Sequence, residues 1–195
     1  SEAGWDVVIN YFSDSDGAEE TAQMVRSCGQ QAWVQQADVG DGANVARMFG
    51  EVQKLPGELR LLVNNSGRQT WCSLLDLQEA DWDRTIKTNL KGTFLCTQRA
   101  AKIMQDRGGT IINIGSGSNT RPFPSLVDYT ASKGGMEMFT KVAAMELGRH
   151  NIRVNCVAPG AIEIERTKQE AGDYAGTWAP LTPLGRIGVP DDVAK

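Results

Sequence analysis

The chain has 195 residues, a length that suits a single domain. Its 20 basic and 24 acidic side chains give a net charge of −4, which excludes a polybasic nucleic-acid arm and a strongly acidic disordered tail. No stretch of about 18 apolar residues occurs in it, so the sequence offers no membrane-spanning segment.

Short apolar runs alternate along the chain with segments of helical period. Strands are predicted at Val7–Ile9, Ala32–Val34, Leu61–Val63, Thr110–Ile114 and Ile152–Val157. Helical segments are predicted around Ala18–Val25, Val45–Leu55, Glu79–Arg107 and Tyr129–Arg149. This alternation predicts an α/β fold, with a doubly wound parallel sheet and helices on both of its faces.

Three of these elements carry an expectation about burial. The continuous apolar run at 61–63 is typical of a parallel strand that is buried on both faces. In the longest predicted helix, Ile86, Leu90 and Phe94 recur at helical spacing, so the face they share is expected to be covered, by a second subunit or within this one. The helix at 129–149 is apolar on more than one face, which predicts burial or a subunit contact.

The cysteines and the single histidine argue against a metal site. Cys28, Cys72, Cys96 and Cys156 form no C-x-x-C pair, and His150 is the only histidine in the sequence. A structural zinc site is therefore not expected. Scattered thiols in a chain without a charged and then apolar leader favour a cytoplasmic protein.

Small and polar residues follow three of the predicted strands. They stand at 64–67 after the third strand, at 115–118 after the fourth and at 158–160 after the fifth. In doubly wound sheets, ligands bind at the carboxyl ends of the strands. Small residues let a ligand approach the backbone closely, so we expect the ligand site at this edge.

Tyr129 and Lys133 are the most informative pair of side chains. They are four residues apart on a predicted helix and therefore share one face. A free phenol ionises only near pH ~10, and a neighbouring ammonium favours the phenolate. Such a phenol can exchange a proton with a substrate oxygen. Taken alone, the spacing is weak evidence, because the same pattern on a surface helix usually has no function.

Taken together, the motifs resemble those of the short-chain dehydrogenase/reductase family over essentially the whole chain. The matching segments are N-N-S-G at 64–67, N-L-K-G at 89–92, I-I-N-I-G-S at 111–116, Y-T-A-S-K at 129–133, and N-I-R-V-N at 151–155 with the Pro-Gly pair at 159–160. Each motif is weak by itself, but their order and spacing match the family. The resemblance implies one Rossmann-like domain over 1–195 that transfers a hydride between NAD or NADP and an alcohol or carbonyl compound.

The resemblance also implies a role for four residues. Tyr129 would be the general acid and base at the substrate oxygen, and Ser116 would hydrogen-bond that oxygen. Lys133 would bind the nicotinamide ribose and favour the ionised form of the phenol. Asn89 would hold a water molecule that links the lysine to solvent. No metal takes part in this chemistry.

The cofactor contacts implied by the family are spread along the strand ends. They are Tyr11, Ser13, Asp38, Val39, Asn64, Ser66, Gly67, Tyr129, Lys133, Pro159, Gly160 and Ile162. The family selects NAD with an acidic residue at the end of its second strand and NADP with a basic residue just after it. Tyr11, Phe12 and Ser13 stand there, which favours NADP only weakly. Ile164 replaces a threonine that often contacts the nicotinamide amide.

The family pattern extends beyond both ends of this sequence. One strand and a glycine-rich turn that seats the pyrophosphate would precede position 1, and a last helix and strand would follow position 195. We therefore expect a fold that is truncated at both ends. The alternative to an active oxidoreductase is an inactive fragment, or a non-catalytic relative that binds a nucleotide or serves as a scaffold.

Substrate choice depends on variable segments, chiefly a loop at about 161–190. The sequences at 121–124 and 133–136 are most similar to those of bacterial glucose 1-dehydrogenases, with 3-oxoacyl-carrier-protein reductases next, so a sugar, a polyol or a 3-oxoacyl compound is expected. The family also implies a dimer or homotetramer formed through the helices at 79–107 and 129–149. The alternative is that these helices are covered within one subunit.

Overall fold

The computed structural model describes residues 3–165, 167 and 172–194, and its five named strands pair in parallel. Strands β1 (Val7–Tyr11) and β2 (Ala32–Gln36) form one sheet. Strands β3 (Leu61–Asn64), β4 (Gly109–Ile114) and β5 (Ile152–Val157) form a second sheet in that order. The predicted α/β class is confirmed, and each predicted strand is present within a few residues of its expected bounds.

The helices lie between and after the strands. They are α1 (Ser15–Ser27), α2 (Gly42–Val52), α3 (Glu79–Ile86), α4 (Gly92–Met104), α5 (Val127–Leu147), and the short α6 (Tyr174–Trp178) and α7 (Pro190–Ala194). Aspartates cap the first two: Asp14 accepts a hydrogen bond from the Gly17 N–H, and Asp41 accepts one from the Asn44 N–H. Each cap satisfies a backbone donor that the helix itself leaves unpaired.

The hydrophobic core follows the division into two sheets. Around the three-stranded sheet, Ile111 of β4 packs with Val45 and Phe49 of α2 and with Met104 of α4. A smaller cluster joins α1 to the two-stranded sheet. Burial of these side chains contributes about 1.5–3 kcal/mol for each large one, which makes the larger cluster the main source of stability.

Strand β3 is less buried than its sequence predicts. Val63 is 47% exposed, and Leu61 and Leu62 are only half-buried. Among the described residues, β3 pairs only with β4, so its other edge has no neighbouring strand. The expectation that this strand is buried on both faces is therefore wrong for Val63.

The predicted helix at 79–107 is divided by a π-helical turn over Lys87–Lys91. A polar row is buried across this turn: Thr85, Asn89, Thr93 and Thr97 are all at most 3% exposed, and apolar Cys96, Ala100, Ala101 and Met104 are buried farther along α4. Phe94 is 42% exposed, so its face is not covered within one subunit at this position, and its cover by a second subunit stays a prediction. A π-helical turn accommodates an extra residue, so the helical period read across it does not indicate which positions are buried within the subunit.

Three further expectations concern metals, thiols and membranes. Within 3–165, 167 and 172–194, no group of three or more His, Cys, Asp or Glu side chains is arranged to hold a metal ion. The four cysteines are free thiols. None of the described helices is long and apolar enough to cross a membrane.

Candidate active site

The candidate site lies where β3, β4 and β5 end and α5 begins. Helix α5 starts two residues before Tyr129, so Tyr129 occupies its first turn and Lys133 the next turn on the same face. Lysine Nζ lies 5.7 Å from the centroid of the Tyr129 ring. The structure thus places the ammonium beside the phenol, as the four-residue spacing predicts.

Lys133 is held by the end of strand β4. Its side chain is 4% exposed, and Nζ donates a hydrogen bond to the Ile114 carbonyl at 2.5 Å. Burial lowers the pKa of Lys133 to about 8, and the nearby Cys156 offsets this slightly. The amine therefore titrates close to neutral pH and has two further protons to donate to a ligand.

Asn89 lies in the π-helical turn and is fully buried. Its Nδ2 donates to the Arg68 carbonyl at 2.8 Å and to Ser132 Oγ at 2.9 Å, while Oδ1 accepts from the Arg68 N–H at 2.8 Å. These bonds join the loop after β3 to helix α5. The side chain is bonded to Ser132 rather than to Lys133, so its place in a proton relay stays a prediction.

Ser116 follows β4 and caps the short 3-10 turn Gly117–Asn119. Its Oγ accepts a hydrogen bond from the Ser118 N–H at 3.2 Å. The Gly117 N–H donates to the Pro159 carbonyl at 2.8 Å, so the ends of β4 and β5 are tied together here. Ser116 therefore stands two residues beyond the carbonyl that holds the Lys133 amine.

Two of the predicted cofactor contacts, Asp38 and Val39, lie between β2 and α2, and the resemblance assigns them to the adenine. The Asp38 carboxylate accepts hydrogen bonds from the Gly40 N–H and from Lys87 Nζ, both at 2.8 Å. The carboxylate raises the pKa of Lys87 above its ordinary value. A Cβ at Gly92 would lie 2.9 Å from Cγ2 of Val39, so the glycine of N-L-K-G allows α4 to approach this loop closely.

Asn64 is buried and its side chain faces the core. Nδ2 donates to Asn113 Oδ1 at 2.8 Å and to Thr97 Oγ1 at 3.1 Å. Asn113 in turn donates to Thr140 Oγ1 at 2.8 Å. Both amide protons of Asn64 are thus engaged, and any contact with a cofactor is left to its main chain or its Oδ1.

The other predicted contacts lie at exposed strand ends. Tyr11 is half-buried and Ser13 is exposed after β1, while Ser66 and Gly67 are exposed after β3. Ile162 pairs with Gly188 in an isolated parallel bridge, which closes the base of the loop predicted at 161–190. Positions 166 and 168–171 of that loop are outside the described residues.

Tyr174 is a site residue that the sequence interpretation missed. It is half-buried, its hydroxyl is hydrogen-bonded to the main chain of Ile162, and it lies near Tyr129. Burial is the largest of the effects that raise the pKa of Tyr174, and the Tyr129 phenol adds to it. Tyr174 lies in a variable segment rich in Gly and Pro that contains no family motif, so no motif identified it. The spacing of four residues between Tyr174 and Trp178 could have indicated two aromatic rings on one face of a short helix.

Trp178 joins Tyr174 in an aromatic wall. The Trp178 ring lies 4.9 Å from that of Phe123 at right angles and 6.1 Å from that of Tyr174. The three rings connect the loop after β4 with α6. Trp178 thus packs against two other aromatic rings, whereas Trp71, after β3, is 55% exposed.

A nicotinamide ribose fits the residues around Lys133. A Cβ at Gly67 would lie 3.6 Å from Asn89 Oδ1 and 3.7 Å from Lys133 Nζ, so the glycine leaves this space free. The Lys133 amine keeps donors for the ribose hydroxyls after its bond to Ile114. The exposed main chain at Ser66 and Gly67 borders the same space.

Comparison with known proteins gives the family. A family model described as enoyl-(acyl carrier protein) reductase matches residues 1–195. The uncharacterised oxidoreductase YohF of Escherichia coli K12 is 37% identical over 197 residues, which cover all of this chain and 78% of YohF. The 3-oxoacyl-[acyl-carrier-protein] reductase FabG of Staphylococcus epidermidis RP62A is 35% identical over 196 residues, covering all of this chain and 80% of FabG.

A solved structure agrees with these matches. The gluconate 5-dehydrogenase of Burkholderia cenocepacia J2315, crystallised with NADP and tartrate, superimposes with a TM-score of 0.90 at 32% identity. The match covers 98% of this chain and 76% of that one. Because the family model spans 1–195 and these relatives match nearly the whole chain, the chain belongs to the short-chain dehydrogenase/reductase family of oxidoreductase enzymes.

Proposed function

We propose that the chain is an NAD(P)-dependent dehydrogenase or reductase in which Tyr129 is the general acid and base. The observation that carries this proposal is the pairing of Tyr129 with a buried lysine on one face of α5. The nicotinamide cofactor, when bound, supplies or accepts the hydride. The side chains of the site supply the proton transfer and hold the substrate oxygen.

In the direction of reduction, the Tyr129 hydroxyl gives its proton to the carbonyl oxygen while the carbonyl carbon gains a hydride, so the carbonyl becomes an alcohol. The Lys133 ammonium stabilises the phenolate that remains. Ser116 donates a hydrogen bond to the same oxygen, which holds the carbonyl for attack. Oxidation of an alcohol follows the same steps in reverse.

We propose NADP as the preferred cofactor. Tyr11, Phe12 and Ser13 provide no carboxylate for a ribose 2′-hydroxyl at the end of β1, and the gluconate 5-dehydrogenase relative was crystallised with NADP. We expect NADPH to quench tryptophan fluorescence with a micromolar Kd and NADH to bind at least about tenfold more weakly, a difference of about 1.4 kcal/mol. Equal affinity would contradict the preference, and absence of binding to either would favour the non-catalytic alternative.

For the substrate we propose a sugar acid or polyol. The relative named for gluconate shares the fold, and the aromatic wall of Phe123, Tyr174 and Trp178 provides apolar ring faces beside the site. A 3-oxoacyl thioester is the second candidate, because FabG is a relative of similar identity. Reduction of NADP with gluconate, compared with oxidation of NADPH with a 3-oxoacyl thioester, distinguishes the two.

The assembly we propose is a homo-oligomer formed through α4 and α5. Phe94, Met138, Val142 and Met145 are large apolar side chains that are 42–83% exposed on these two helices. Phe94 packs edge-to-face on Phe139, which joins the two helices into one surface. Single exposed apolar residues are common, but such a grouping on adjacent helices is typical of a subunit interface.

Val142→Glu is expected to convert the oligomer to a monomer, because it places a charge in a desolvated contact. Light scattering after size-exclusion chromatography measures the mass directly. Met24→Glu makes a similar change at an exposed methionine on α1 and is expected to leave the mass unchanged. A wild-type monomer, or a Val142→Glu oligomer, would rule out this interface.

The compartment we propose is the cytoplasm. All four cysteines are free, and free thiols persist in reducing compartments. Chemical labelling of the thiols in intact cells tests this.

A further inference from the structure

A buried hydrogen-bonded pair joins the end of α3 to the start of α5. Thr85 Oγ1 donates to an oxygen of the Asp128 carboxylate at 2.7 Å, and both residues are 0% exposed. The other carboxylate oxygen accepts the main-chain N–H of Tyr129 at 2.7 Å. Each oxygen of the Asp128 carboxylate therefore accepts one hydrogen bond, one from α3 and one from the main chain of α5.

The carbonyl of Tyr129 is held from the same partner helix. Asn89 Nδ2 donates to Ser132 Oγ at 2.9 Å, and Ser132 Oγ donates to the Tyr129 carbonyl at 2.7 Å. Thr85 and Asn89 are four residues apart, on the face of α3 and its π-helical extension that meets α5. The N–H of Tyr129 is thus linked through Asp128 to Thr85, and its carbonyl is linked through Ser132 to Asn89. Both links end on the same stretch of helix.

Packing alone does not require this arrangement. Burying a carboxylate costs free energy unless its hydrogen bonds are made, and an apolar pair would fill the same volume without that cost. The two short hydrogen bonds of Asp128 fix the orientation of the peptide group to which the Tyr129 side chain is attached. A shift of about 1 Å in a reacting group lowers turnover by about 100-fold.

We propose that Thr85 and Asp128 are positioning residues for the Tyr129 phenol. They act through the main chain of Tyr129 and touch neither substrate nor cofactor. The inference rests on the proposed function for its effect on turnover. Its structural part, a fixed orientation of the Tyr129 ring, stands independently and is measured independently.

The test uses the full chain labelled with 3-fluorotyrosine and observed by fluorine NMR. The three tyrosines give three lines, and Tyr129→Phe assigns one of them. Thr85→Val, which keeps the shape and removes the hydroxyl, is expected to shift and broaden the Tyr129 line and to leave the other two in place. Asp128→Ala is expected to do the same. Thr85→Ser keeps the hydroxyl donor, and Asp128→Asn can accept from the Tyr129 N–H through its amide oxygen while its amide nitrogen donates to Thr85 Oγ1, so both variants are expected to keep the wild-type line.

Thr140→Val is the matched control. Thr140 is a buried threonine on α5, the helix that carries Tyr129. Its hydroxyl also takes part in a buried hydrogen bond, but it accepts from Asn113 and lies eleven residues from Tyr129 in sequence. We expect it to lower the melting temperature about as much as Thr85→Val while leaving the Tyr129 line unchanged.

Turnover gives the second readout, measured as reduction of NADP with gluconate. Thr85→Val is expected to lower kcat by about 10- to 100-fold with the Kd for NADPH within about twofold, and Thr85→Ser to recover most of it. A Tyr129 line in Thr85→Val and Asp128→Ala that matches the wild type would overturn the inference. If the line shifts as expected but the wild type turns over no substrate, the proposed function fails and the positioning role stands.

Discussion

Tyr129→Phe is expected to lower turnover by about 10³-fold while leaving cofactor affinity and stability nearly unchanged. The substitution removes one hydroxyl and keeps the ring. With the described residues that hydroxyl makes no hydrogen bond, so its removal leaves no partner unsatisfied in the fold. The kcat for reduction of NADP with gluconate, and the Kd for NADPH from tryptophan fluorescence, measure the two quantities.

The same experiment distinguishes an active oxidoreductase from a nucleotide-binding protein without catalysis. An oxidoreductase with another acid would keep its kcat in Tyr129→Phe, which would contradict the proposed mechanism. A nucleotide-binding protein without catalysis would show NADPH binding and no turnover in either form. Near-UV circular dichroism is the control for folding, because a shifted α5 would change the aromatic signal of the Phe123, Tyr174 and Trp178 wall.

The fold was largely predictable because its elements are local. Each predicted strand is a short segment rich in apolar residues that the structure places in a parallel sheet, and the aspartates that cap α1 and α2 satisfy short-range donors. The exposure of Val63 was not predictable, since it depends on which strand lies beside β3 and not on the sequence of β3 itself.

The polar residues buried around the π-helical turn were not predictable for a different reason. The helical period from Glu79 onward is read correctly in each half, but the π-helical turn at Lys87–Lys91 changes the phase between them. Polar residues, Thr85, Asn89 and Thr93, are buried within the subunit, while Phe94 is 42% exposed on the face proposed as a subunit contact. A buried stripe of threonine and asparagine is not recognised by a search for apolar periodicity.

In the site, too, contacts within one helix were predictable and contacts between distant segments were not. The spacing of Tyr129 and Lys133 on one helix is local, and the structure places them together. The hydrogen bond between Thr85 and Asp128 joins positions 43 residues apart, and no single-sequence pattern indicates it. Tyr174 likewise reaches the site from a segment without a motif.

Lys133→Met is expected to abolish cofactor binding and yet to stabilise the fold at pH 7. Burial lowers the pKa of Lys133 from 10.5 to about 8, so below pH 8 the folded chain carries a buried charge that water would solvate better. That difference amounts to about 3 kcal/mol, and losing the bond to the Ile114 carbonyl offsets about 1 kcal/mol of it. We expect a net gain of about 2 kcal/mol, or a rise in Tm of about 5 °C.

The stability gained by Lys133→Met is expected to depend on pH. Between pH 8 and 10.5 the unfolded chain binds the proton and the folded chain does not, so wild-type stability rises with pH across that window. The advantage of Lys133→Met therefore shrinks as the pH is raised from 8 toward 10.5. Thermal unfolding by circular dichroism at pH 7, 9 and 10 measures the difference.

Lys141→Met is the control for this comparison, since Lys141 is an exposed lysine on the same helix that pairs with Glu137. Its removal is expected to change the free energy of unfolding at pH 7 by less than about 1 kcal/mol. A Lys133→Met protein that is less stable than the wild type at pH 7 would show that the amine is well solvated in the fold. The expected result would mean that the lysine is kept at a cost in stability, as sites that bind and polarise a ligand often are.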